Sequence, residues 1–188
     1  MVIAVRTESG RIISRPETTC DRPEEDFYAP EYVNSLSYTP VFFVRVSRPG
    51  RSVAPRFAGR YFNACGFGLF LYPADMLDSS PESLACASCL DHTSFIRNPR
   101  SLEEFAPETE FTISFGDKTI FTGTAPPPEE TARALALSSS RIHLRTGDFV
   151  AIELAPPEHL CDRPTSARLS AKSGNDIILD INIYMNSL

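Results

Sequence analysis

Cys86-Ala87-Ser88-Cys89 sets two thiols three residues apart, and His92 follows three residues later. A C-x-x-C at a helix start can exchange disulfides if its thiol pKa is lowered. The same three side chains are soft enough for zinc, which would need a fourth ligand. No βαβ pattern surrounds the pair and no second cysteine pair accompanies it, so the ordinary reading is two incidental thiols. Asp91-His92-Thr93-Ser94 holds an acid, a base and hydroxyls. Sequence neighbours rarely face one another as a triad, so this stretch reads as a loop. Glu153 stands between Ile152 and Leu154, either at an edge or pocket or, preferred here, facing solvent. His143, between Ile142 and Leu144, reads as a surface residue on a strand.

The elements that would position these groups are mostly strands. Met1–Val5 reads as a short strand. Glu17–Asn34 is acidic and broken by Pro23 and Pro30, which predicts an irregular surface segment. Pro40–Val46 is aromatic and β-branched, a strand buried on both faces at its centre. Ser47–Arg60 is a Pro/Gly/Arg loop, and Tyr61–Tyr72 is a second buried strand that Pro73 ends. Ser79–Ser88 predicts a short helix, and Ser101–Phe105 a single turn with a Ser cap. Glu110–Phe115 alternates and returns through Gly116-Asp117 along Thr119–Thr122, a hairpin. Pro126–Pro128 followed by Glu129 and Glu130 predicts a helix over Glu129–Leu137. Phe149–Leu154 is a strand, Pro156–Ser173 reads as loop, and Asp176–Tyr184 alternates as the last strand. The sum is a mostly β α+β domain, a rolled mixed sheet or sandwich with one main helix, expected to span residues 1–188 as a single domain.

Bulk properties narrow the function. A formal charge of −6, with 18 Lys+Arg against 24 Asp+Glu, argues against a nucleic-acid partner. Arginines do gather at positions 45, 48, 51, 56 and 60, either a solvated loop edge or an anion-attracting rim. Five widely spaced cysteines make a poor disulfide framework, so a reducing cytoplasm is the expected setting. Arg6 and Glu8 end the first apolar run too early for a signal peptide. The longest apolar run, Arg60–Leu77, is interrupted by Asn63, Pro73 and Asp75, so no membrane span is expected.

That run, RYFNACGFGLFLYPADML, together with PVFFVRVSRPGRSV, FTISFGDKTIFTG and LRTGDFVAIELAP, resembles in order and spacing the segments of the fumarylacetoacetate hydrolase family in its short form. The resemblance spans about Val2 to Tyr184. It implies that family's fold, a homodimer, and magnesium- or manganese-dependent cleavage, decarboxylation or tautomerisation of 2-oxo and diketo acids. The metal would be held by carboxylates and would act as a Lewis acid.

Position by position, the implied ligands are replaced. No Glu or Asp occurs between Val44 and Asp75, where the family's Glu-x-Glu pair would lie. The third ligand falls on Phe70, the following Arg on Ala74, and the second Asp survives as Asp75. The family's Lys falls on Ser88, while Asp91 matches its acid. The carboxylate-binding Thr-Gly-Thr-Pro falls on Ile152-Glu153-Leu154-Ala155, and no His precedes His92. The resemblance so read implies a pocket remnant around Phe70, Ala74, Asp75, Ser88, Asp91 and Leu154, with no catalytic residue, metal or other cofactor and a binding or interaction role. Two alternatives stay open: an enzyme whose magnesium or manganese has moved to Asp75, Asp91 and Glu153, with His92 a further polar candidate, and an unrelated small β-rich binding module.

Overall fold

The computed structural model describes residues 1–22, 25–78 and 80–186. In chain order the strands are β1 (Val2–Arg6), β2 (Ile12–Pro16), β3 (Phe27–Tyr28), β4 (Ser35–Val46) and β5 (Phe62–Pro73). Helix α1 (Pro81–Ala87) precedes β6 (Ser94–Phe95), β7 (Arg100–Ser101), β8 (Phe111–Phe115) and β9 (Lys118–Gly123). Helix α2 (Pro128–Arg141) precedes β10 (Phe149–Glu153), β11 (Glu158–Asp162), β12 (Thr165–Ser173) and β13 (Asp176–Met185).

These strands form two mixed sheets. The larger has the order β2-β1-β10-β4-β5-β6, with β11 also paired to β4 and β7 to β5. The smaller has the order β3-β13-β12-β8-β9. The long antiparallel pair β4–β5 forms the centre of the larger sheet, with Thr39 opposite Phe70 and Phe42 opposite Phe67.

Both faces of that pair are buried, which explains the near-continuous apolar runs. Side chains alternate between two cores. Phe42, Val44, Phe67, Leu69, Val150 and Ile152 face the smaller sheet and join Phe111, Ile113, Leu169 and Ile181. Val41, Phe43, Phe70, Tyr72, Phe149 and Ala151 face the other way and join Ile3, Val5 and Ala87.

Several expectations are corrected. Pro156–Ser173 is not a loop but holds β11 and β12, because Leu169, Ala171 and Ser173 alternate as the buried face of a strand otherwise built of small polar residues. Glu17–Asn34 is not a plain surface segment: Thr19 and Val33 are fully buried, and Phe27 pairs with Ile183. Pro23 and Glu24 of that segment, like Ser79 of the predicted short helix, lie outside the described residues. Ser101 belongs to β7 and accepts through its backbone carbonyl from Glu104 and Phe105, so Ser101–Phe105 is a turn without a side-chain cap. Helix α2 runs four residues past Leu137, to Arg141. Strict alternation over Asp176–Tyr184 puts Ile177 on one face with Leu179, Ile181 and Ile183, and those three are buried. A bulge pairs Ile177 with Lys172 and leaves it 61% exposed.

Candidate functional site

The most unusual polar group in the molecule sits on the core face that carries Phe70. Arg15, on β2, is 0% exposed. Its Nε donates to Ser94 Oγ at 2.8 Å, and Nη2 donates to Thr93 Oγ1 at 2.6 Å and Leu71 O at 3.2 Å. Ser94 Oγ also meets Thr19 Oγ1 at 2.8 Å. The guanidinium lies 4.5 Å from the Phe70 ring centroid and 4.8 Å from that of Tyr72. Its Nη1 has no hydrogen-bond partner among the described residues. Arginine stays charged even so, although burial pulls its pKa down.

Tyr72 lies between this guanidinium and a carboxylate. Its hydroxyl donates to Glu153 Oε1 at 3.0 Å, and Glu8 N–H donates to Oε2 at 3.0 Å. Glu153 is 6% exposed, so the solvent-facing reading is overturned. The reason is parity: at the end of β10 it shares the face of Ala151, opposite to Leu154. Desolvation raises its pKa, while the Glu8 amide, Tyr72 and Arg15 lower it. Burial raises the Tyr72 phenol as well. Glu153 also lines a cavity of ≈ 440 Å³, shared with Arg6, Glu8, Glu130 and Leu154, where Arg6 pairs with Glu130.

The other predicted positions scatter. Phe70 and Ala87 belong to one core, and Ser88 beside them is fully buried with Oγ donating to Leu84 O at 2.6 Å. Leu154 packs on the opposite core and donates its N–H to Pro40 O at 2.9 Å. Ala74 and Asp75 lie in a short 3₁₀ turn after β5, where Asp75 Oδ2 accepts from Asn34 N at 2.6 Å. Asp91 is exposed and lines a separate cavity of ≈ 410 Å³ with His92, Cys89, Tyr28 and Tyr32. His92 Nδ1 lies 3.2 Å from Cys20 O. Cys86 and Cys89 are exposed free thiols near the end of α1. His143 is exposed, as read, but lies in the connection between α2 and β10 and not on a strand. A third cavity of ≈ 170 Å³ is apolar, walled by Phe42, Phe62, Cys65, Leu102 and Phe105.

Among the described residues no three His, Cys, Asp or Glu side chains converge so as to hold a metal ion. Asp75, Asp91 and Glu153 sit in three different places. Cys86, Cys89 and His92 form no zinc set either.

Arg15 and Tyr72 went unread in the sequence. A lone Arg between Ser14 and Pro16 carries no signal of burial, and Tyr72 reads as one more apolar strand residue. The available clue was the buried acid on β10, which needs partners wherever it points inward.

No protein-family model matches the chain, and no curated protein matches it. Solved structures do match. One from Yersinia pestis CO92, described as a fumarylacetoacetate hydrolase family protein, has a TM-score of 0.78 at 12% identity, covering 98% of this chain and 92% of that one. A fumarylpyruvate hydrolase of Pseudomonas aeruginosa, solved with Mn2+ and pyruvate, has a TM-score of 0.77 at 10% identity, covering 100% and 90%. A 5-carboxymethyl-2-hydroxymuconate delta-isomerase of Mycobacterium smegmatis has a TM-score of 0.76 at 12% identity, covering 100% and 79%.

The two curled sheets and their order thus give this β-rich chain the fold of those fumarylacetoacetate hydrolase family structures. Within that class this chain is a divergent representative of the fold. The divalent ion that the fold implies does not fit the side chains present. Hard cations need several oxygen ligands around one point, and the position expected to supply one holds a phenyl ring with 0% exposure.

Proposed function

We propose that this chain is a non-catalytic binding protein built on the fumarylacetoacetate hydrolase fold. The observation that carries the reading is Phe70, packed between Phe43, Val41 and Ala87 in a sealed core and capped by the Arg15 guanidinium. A buried ring there leaves neither space nor charge for a metal-bound 2-oxo acid. The scattering of Asp75, Asp91 and Glu153 supports the same reading. Apart from the polar cavity at Glu153 there is an apolar one beside Phe42, Phe62 and Phe105, which suits a small apolar group held by contact alone. All five cysteines are free, in keeping with a reducing cytoplasm. A homodimer is proposed from the likeness to the family. No helix among the described residues is long and apolar enough to cross a membrane.

The competing reading is a metal-dependent hydrolase or isomerase, as several of the structural neighbours are named. An assay over a panel of 2-oxo and 2,4-diketo acids, with manganese present, separates the two. The expected result is no turnover above a protein-free control. Turnover that disappears in Glu153→Gln would overturn the non-catalytic reading and make the buried acid its centre.

A further inference from the structure

The arginine-rich segment after β4 forms a surface of its own, separate from the cavities above and independent of whether the chain turns over a substrate. Residues 45–60 contain five arginines and no acid. Arg45, Arg48, Arg51, Arg56 and Arg60 are all exposed, and so are Arg141 and Arg145. Among the described residues none of these seven lies within ion-pair distance of a carboxylate.

The backbone draws six of them together, while Arg45 on β4 shares the opposite face with Phe43. Gly50 and Leu144 exchange both backbone hydrogen bonds at 3.0 Å, which places the segment carrying Arg141 and Arg145 beside Arg48 and Arg51. Ser47 N–H donates to Tyr61 O at 2.8 Å, bringing Arg60 next to Arg48. Ser52 N–H donates to Ser139 O and Val53 N–H to Ser139 Oγ, both at 2.9 Å, which pins the loop to α2. Gly50 lies so close to Tyr61 that a Cβ there would meet its ring at 2.8 Å. At the edge of this patch Phe57, 39% exposed, has Arg56 and Arg60 over its ring at 4.8 and 5.2 Å. Read as loop throughout, the segment in fact closes with a 3₁₀ helix, Pro55–Arg60; its backbone is held by these hydrogen bonds, and its arginines have no carboxylate partner among the described residues. The held backbone presents these guanidiniums from fixed points, and each fork matches a planar carboxylate in bidentate fashion.

We propose that this face is a docking surface for a short acidic segment of a partner protein. Charge complementarity selects the sign of the partner. The overall charge of −6 selects its size. With six cations gathered here, the rest of the surface carries an excess of acids. A nucleic-acid strand or an anionic bilayer extends beyond the patch and meets that excess. A segment of a few acidic residues feels the patch alone, because fields are screened over about 8 Å at physiological salt. Phe57 offers an apolar contact between two of the forks, which a mixed acidic and apolar segment would use.

Fluorescence anisotropy with labelled hexaglutamate, using hexaglutamine as the neutral control, tests the assignment on the full chain. The expected preference for hexaglutamate is at least about tenfold, falling steeply as salt is raised. Arg48→Glu with Arg51→Glu should abolish that preference while leaving the thermal midpoint unchanged, since both side chains are exposed. Should that pair fail to fold, Arg56→Gln with Arg60→Gln serves the same purpose. Equal binding of the two peptides, or an undiminished preference in a folded charge-altered variant, overturns the proposal. So does tighter binding of a hexathymidylate or of phosphatidylserine vesicles than of hexaglutamate under the same conditions.

Discussion

Arg15 and Glu153 are buried ions held apart by one tyrosine, and at the scale of single residues they set the character of this interior. Neither touches the other; Tyr72 hydrogen-bonds the acid and lies under the guanidinium. Burial raises the Glu153 carboxyl above its ordinary value. The folded state therefore holds that proton more tightly than the unfolded chain does. Its contribution to stability is complete below the unfolded value of about 4.3 and is lost as pH rises through the higher folded value. Glu153→Gln removes this dependence. Denaturant unfolding from pH 4 to 8 should show the variant losing less stability than the parent as pH rises, and parallel profiles would rule the assignment out. The sequence marked Glu153 as an acid among apolar residues but pointed it outward. Its true direction depends on where β10 ends and which parity the strand keeps, and on Arg15 and Tyr72, which come from distant strands.

At the scale of elements, the legible parts were the strongly patterned ones. The apolar strands β4 and β5, the Gly116 hairpin, the proline-led α2 and the alternating β13 all follow from runs whose period or punctuation is unambiguous. β12 escaped because Leu169 is the one large apolar residue in Thr165-Ser-Ala-Arg-Leu-Ser-Ala-Lys-Ser173, whose burial is supplied by the neighbouring strands β8 and β13. The glycines of β5 show how closely the elements fit. A Cβ on Gly68 would stand 2.2 Å from the backbone oxygen of Phe95 on β6, whereas one on Gly66 would meet the ring of Phe43 at 3.1 Å. A ring can tilt and a paired backbone cannot. Gly68→Ala should therefore cost about 1–3 kcal/mol, as overpacking does, and Gly66→Ala clearly less. Equal midpoints for the two variants in urea would contradict this account of the β5–β6 contact.

At the scale of the whole molecule, two sheets, two cores and the likeness to Mn2+-containing and isomerase structures establish one architecture with different contents. The order of elements was readable because topology depends on the spacing of apolar runs, which survives at 10–12% identity. The candidate site was readable only as a set of residue types: which face Phe70 takes, and the separation of Asp75, Asp91 and Glu153, depend on register. The proposed separation of fold from activity rests on a packed core that holds an aromatic at Phe70, where a metal would need oxygen. The most direct measurement is a manganese titration of the metal-free protein, followed by calorimetry and by thermal midpoint. The account predicts no saturable heat and no shift in midpoint. A single saturable site with stabilisation that grows with free metal, as linkage requires of any ion bound to the native state, would contradict it.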